Sequence, residues 1–105
     1  MSGRDRISST ATRAGTHLRS ARVAVADYSP ELAQELADWI ARVEPGVRRP
    51  ARCAHNAVDS VQHASRELQH FGTAEQRAFA KPLFDLSLRI LDARREWLAS
   101  EGAAS

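Results

Sequence analysis

Residues 71–76, "FGTAEQ", carry the clearest punctuation in the chain and decide how it is divided. Gly72 suits the left-handed position after a helix, and Thr73 followed by Gln76 has the spacing of a capping box, in which side chain and backbone bond reciprocally. A helix is therefore expected to stop at Phe71 and another to start at Ala74, folding back as a tight antiparallel hairpin.

Upstream, Ala54, Ala57, Val61, Ala64, Leu68 and Phe71 fall on one side of a helix read from about Pro50 to Phe71, with Val58 at the edge. Downstream, a helix over roughly Ala74 to Ser100 carries Phe79, Leu83, Leu86, Ile90 and Trp97 on one stripe, with Ala93 in the same row. Ala80, Phe84, Leu91 and Leu98 form a second stripe, with Leu88 at its margin. Two apolar stripes need cover on two sides. Pro82 lacks a backbone donor and is expected to kink or interrupt this helix.

Further outward, "DYSPEL" (27–32) ends one helix and starts the next, with Ser29 as N-cap, Pro30 at the first helical position and Glu31 near the positive helix end. Leu32, Leu36, Trp39, Ile40 and Val43 give that second helix a compact apolar face. "EPGVRRP" (44–50) breaks it, leaving Pro50 to open the third helix. The first helix places Ile7, Ala11, Ala14, Leu18, Ala21, Val25 and Tyr28 on one stripe, thinned by its alanines; Gly15 and a run of Ser and Thr weaken its first half.

No stretch alternates as a half-buried strand does, so the fold class is all-α: a small four-helix bundle, or a three-helix core with a mobile N-terminal helix, expected to be oligomeric. The 105 residues form one domain, with residues 1–7 and 101–105 read as flexible ends. The single cysteine, Cys53, excludes an intrachain disulfide and argues for a reducing compartment. No apolar run spans a bilayer and the N-terminus lacks a secretory core, so the expectation is a cytoplasmic protein. Cys53 reads as a small core residue.

The formal charge is +2, from 15 basic and 13 acidic residues, and it is uneven. Up to Tyr28 five arginines oppose two aspartates, a net +3, whereas Ser29 to Val47 holds four acids against Arg42, a net −3. Mutual attraction of the two segments is the simplest use of that asymmetry. The same arginines support an alternative, nucleic-acid binding through Arg13, Arg19, Arg22, Arg48, Arg49 and Arg52. "HFGTAEQRAFAK" (70–81) resembles a helix-turn-helix turn, with Gln76, Arg77 and Lys81 beyond the bend, although the preceding helix is long and Pro82 interrupts the following one.

"HNAVDSVQHASRELQHFG" (55–72) concentrates His55, Asp59, Gln62, His63, Arg66 and His70 on the polar face of the third helix. His63 and His70 lie about 10 Å apart along the axis, so one ion cannot join them from a single helix. A metal at His63, Glu67 and His70, the last two in the Glu-x-x-His spacing of ferritin-like bundles, would need ligands from another helix or subunit. Acid–histidine neighbours on a solvated helix account for the same residues.

There is no phosphate-cradling glycine loop, dinucleotide fingerprint or complete zinc motif, so no cofactor is expected and the chain reads as a binding protein rather than an enzyme. The first reading is a small interaction module or regulatory subunit that pairs with itself or a helical protein through Phe84, Leu88, Leu91 and Leu98, with Arg94 and Arg95 at the rim.

Overall fold

The computed structural model describes the backbone of residues 2–51 and 56–104 and the side chains of 9–51 and 56–101. Arg52, Cys53, Ala54 and His55, and the side chain of Ile7, lie outside the described residues. The elements in order are α1 (Ser2–Ala26), α2 (Pro30–Val43), α3 (Ala57–Phe71), the single turn α4 (Ala74–Arg77) and α5 (Ala80–Ala104). Four long helices form an elongated all-α bundle, 56 × 25 × 18 Å, with no strand among the described residues.

The starts of the helices follow from their caps. Ser29 Oγ accepts from the Leu32 amide at 3.3 Å, with Pro30 at the first helical position. Asn56 Oδ1 accepts from the amides of Val58 and Asp59, so α3 begins at Ala57 and not near Pro50. Thr73 and Gln76 form the reciprocal box, with Thr73 N donating to Gln76 Oε1 at 2.9 Å and Gln76 N to Thr73 Oγ1 at 3.2 Å. Gly72, however, is extended (φ −83°, ψ 167°) rather than left-handed. It is small for a different reason: a Cβ there would lie 2.8 Å from Gln76 Cβ and collide with the Leu68 carbonyl. The left-handed glycine is Gly46, at φ 75°.

Pro82 is also relocated by the chain's own break. The helix stops at Arg77 and restarts at Ala80, so Pro82 occupies the first turn of α5, where its missing N–H is tolerated.

α1 is the helix on which α2 and α3 both pack, while α5 packs on α3. Ala14, Leu18, Ala21 and Val25 are all at most 1% exposed, which selects the four-helix bundle over a core with an undocked first helix. Its alanines allow close approach of α2 on one side and α3 on the other. Thr10 donating to the Phe71 carbonyl, Arg13 bonded to Glu67 and His17 stacked on His63 show α3 antiparallel to α1. α2, joined to α1 by a short turn, is antiparallel to it as well. α2 and α3 therefore run parallel, and the segment between them must climb along α1 by about 12 Å, the rise of eight helical residues. That is why residues 47–51 are not helical. α5 returns antiparallel to α3, tied by Ser65 Oγ donating to the Ala80 carbonyl at 2.6 Å and Gln62 Nε2 donating to Ser87 Oγ at 3.2 Å.

The crossover is held down by a buried ionic clamp. Glu44, 5% exposed, ends α2 through its amide bond to Ile40 O, and its carboxylate accepts from Arg19 of α1 and Arg49 of the crossover. Arg19, 7% exposed, also donates to the Val47 carbonyl at 3.3 Å. The carboxylate lies flat against the backbone at Gly15, where an added Cβ would come within 2.8 Å of Glu44 Cδ and 2.9 Å of Arg19 Nη1.

Two substitutions test the clamp. Glu44→Gln, which strands Arg19 in the interior, should lower stability by about 3 kcal/mol in urea denaturation. Gly15→Ala should also destabilise, by roughly 1–3 kcal/mol, although alanine is the better helix former by about 1 kcal/mol. A stabilised Gly15→Ala would contradict the placement of Glu44.

Candidate functional site

Three surfaces bear side chains that a partner or ligand can use: the outer face of α5, the cleft beside the crossover and the histidine face of α3.

α5 carries the two apolar stripes at its two sides, and the bundle covers one of them. Leu83, Leu86 and Ile90 are at most 2% exposed, and Phe79 packs edge-on to Trp39 with ring centroids 5.4 Å apart. Trp97 lies 5.7 Å from the Tyr28 ring, tying the far end of α5 to the α1–α2 turn. The second stripe is uncovered: Phe84, Leu88 and Leu98 are 45%, 44% and 46% exposed, and Leu91 is half-buried at its edge. Arg94 and Arg95 are exposed beside it. Ala80 alone among that stripe is buried, its carbonyl accepting from Ser65 of α3. Arg89 bonds Glu35 of α2 with both terminal nitrogens, at 2.9 and 2.7 Å, an exposed link between α5 and α2.

The arginines read as a nucleic-acid set separate into different roles. Arg19 is buried in the clamp and Arg49 bonds to the same carboxylate, so neither is a free phosphate ligand. Arg13 pairs with Glu67 at 2.9 Å and lies 5.8 Å above the Phe71 ring. That contact explains a further departure, because Phe71 is 62% exposed at the end of α3 rather than in the core. Arg22 and Arg48 have no hydrogen-bond or ion-pair partner among the described residues; Arg52 lies outside them. The likeness of residues 70–81 to a helix-turn-helix also fails structurally, since the segment after the turn is a four-residue helix whose Gln76 is buried in its own capping box.

On α3, His63, Glu67 and His70 line one shallow depression of about 210 Å³ together with Arg66 and Phe71. Glu67 is engaged by Arg13. His63 is stacked face to face on His17 of α1, at 5.2 Å and 18° between ring planes, a partner the sequence reading missed. Parallel rings do not aim their nitrogens at a common point, and no group of three or more His, Cys, Asp or Glu among the described residues is placed to hold a metal ion. His17 and His63 thus join α1 to α3.

Burial lowers the His17 imidazole below its ordinary 6.5; the neighbouring His63 lowers it further and Glu67 opposes both. The unfolded chain takes up that proton near pH 6.5 while the folded chain resists it, so stability is lost as pH falls below about 6.5. His17→Gln should flatten this fall between pH 7.5 and 5.5 in thermal unfolding; an unchanged slope would place the titration elsewhere.

No helix among the described residues is long and apolar enough to cross a membrane. Compared with protein-family models, curated proteins and solved structures, the chain matches none.

Proposed function

We propose that the protein is a self-associating helical module whose working surface is the outer face of α5, with a second copy of the chain as occupant. The observation that supports it is the exposure of Phe84, Leu88 and Leu98 in one row on a helix whose other side buries Leu83, Leu86 and Ile90. Isolated exposed hydrophobics are ordinary, but a row at heptad spacing is the pattern of a helix–helix seam.

The seam occupies Lys81, Phe84, Leu88, Leu91, Arg95 and Leu98, at alternating steps of three and four. Antiparallel pairing about a two-fold axis between Leu88 and Leu91 suits these residues best. Phe84 lies four positions before Leu88 and Arg95 four positions after Leu91, so each Phe84 then faces Arg95 of the partner subunit. Guanidinium on an aromatic face is a favourable contact, and the chain already uses it at Arg42 over Trp39, 4.8 Å from the ring centroid. The apolar end of each seam meets the aliphatic stem of a lysine, since Lys81 lies opposite Leu98 of the partner subunit.

The seam is about two and a half heptads long, shorter than a self-sufficient coiled coil, so the association is weak and concentration-dependent. A protein of this kind acts as an assembly element or regulatory subunit. The single cysteine supports its placement in a reducing compartment such as the cytoplasm.

Sedimentation equilibrium tests this directly. The wild-type chain should dimerise with Kd of roughly 10–100 μM, Leu88→Asp should be monomeric throughout with unchanged helical circular dichroism, and Arg95→Glu should weaken the dimer about tenfold. A monomer at all concentrations, or a dimer indifferent to Leu88→Asp, would overturn self-pairing.

A further inference from the structure

The crossover does not lie flat on α1. Between them is an open cleft of about 790 Å³, within the size range of small-molecule sites. Arg22 and Val23 of α1, Ile40 of α2, and Val47, Arg48 and Arg49 of the crossover form its walls. Arg19 also reaches it, from beneath.

Its charge is one-sided. Among the described residues four arginines line the cleft and no acidic side chain does; the Glu44 carboxylate is buried below and already shared by Arg19 and Arg49. Counting that carboxylate, the locality carries a net +3. Arg22 and Arg48 are exposed and have no anionic partner among the described residues. Holding a cationic loop against a cationic helix costs Coulomb energy, which a bound anion relieves. The clamp fixes the crossover in place, so the arrangement exists before any ligand arrives.

The remaining lining is aliphatic. Val23, Ile40, Val47 and Pro50 offer an apolar wall, and among the described lining residues there is no aromatic side chain on which a nucleobase stacks. Strong positive charge favours a dianionic head over a monoanion, and the guanidinium fork matches phosphate oxygens. We infer that this cleft binds a small phosphate monoester with an aliphatic body, the phosphate held by Arg22 and Arg48 and the hydrocarbon laid on Val23 and Val47.

An amide-detected NMR titration at pH 7.5, where a phosphate monoester is mainly dianionic, tests the inference with hexyl phosphate as probe. The expected result is saturable shifts confined to α1 around Arg22–Ala26 and to Val47–Ala51, with affinity about tenfold above that of inorganic phosphate and no saturable response to hexan-1-ol. The double variant Arg22→Gln/Arg48→Gln, altering only exposed side chains, should weaken hexyl phosphate at least tenfold while the rest of the spectrum stays in place. Absence of saturable shifts, affinity no better than inorganic phosphate, or binding unaffected by the double variant would each overturn it. Tighter binding of a single-stranded DNA 12-mer than of hexyl phosphate, lost in the same variant, would overturn it in favour of nucleic acid.

Discussion

The carboxylate of Glu44 is the point on which the architecture turns. It closes α2, reaches Gly15 and Arg19 of α1, and receives Arg49 from the crossover. A charge removed from water to this degree is costly unless fully paired, and here both oxygens are met by guanidinium groups. The clamp does not add much net energy over a well-packed apolar contact; what it supplies is position. It specifies where α2 stops and which way the chain leaves, and without a fixed crossover α3 has no defined starting point beside α1.

Both outward-facing surfaces follow from that placement. Because α2 and α3 run parallel on either side of α1, α5 enters the remaining corner, touching α3 along one side and α2 through Arg89 and Glu35. Two short helices of 14 and 15 residues cannot surround a helix of 25, so the outer row of α5 is left uncovered. The crossover, lifted along α1 by the same geometry, encloses the arginine-lined cleft. One surface is an exposed apolar row, the other a cationic cleft. The histidine face contributes to cohesion instead: His17 on His63, with Arg13 on Glu67, joins α1 to α3.

Local signals in the sequence located the elements well. Ser29–Pro30 and Thr73–Gln76 act within one turn, so their meaning is complete in a few residues, and of the double stripe of α5 the bundle covers one row and leaves the other exposed. The opposite net charges of the first two segments anticipated their attraction, which the buried pair of Arg19 and Glu44 expresses. What escaped was set by distant contacts. Gly15 looked like a weakness in a helix because the carboxylate it makes room for is 29 positions away. Arg19 looked like a surface cation for the same reason. Pro50 resembled a helix start, but the climb from the end of α2 to the start of α3 requires extended chain there. His63 was read with its neighbours along α3, whereas its partner, His17, comes from α1. Of the candidate partner face, the row on α5 was visible as periodicity, and the bundle buries the opposite row at Leu83, Leu86 and Ile90.

The central claim, that a second copy covers α5 in an antiparallel sense, is tested most directly by isotope-filtered NOE spectroscopy on an equimolar mixture of labelled and unlabelled protein at high concentration. The account predicts intersubunit cross-peaks between Leu88 and Leu91 methyl groups and between the Phe84 ring and the Arg95 side chain. Intersubunit peaks joining Phe84 to Phe84 and Leu98 to Leu98, the signature of parallel pairing, or the absence of any intersubunit peak from α5, would contradict it.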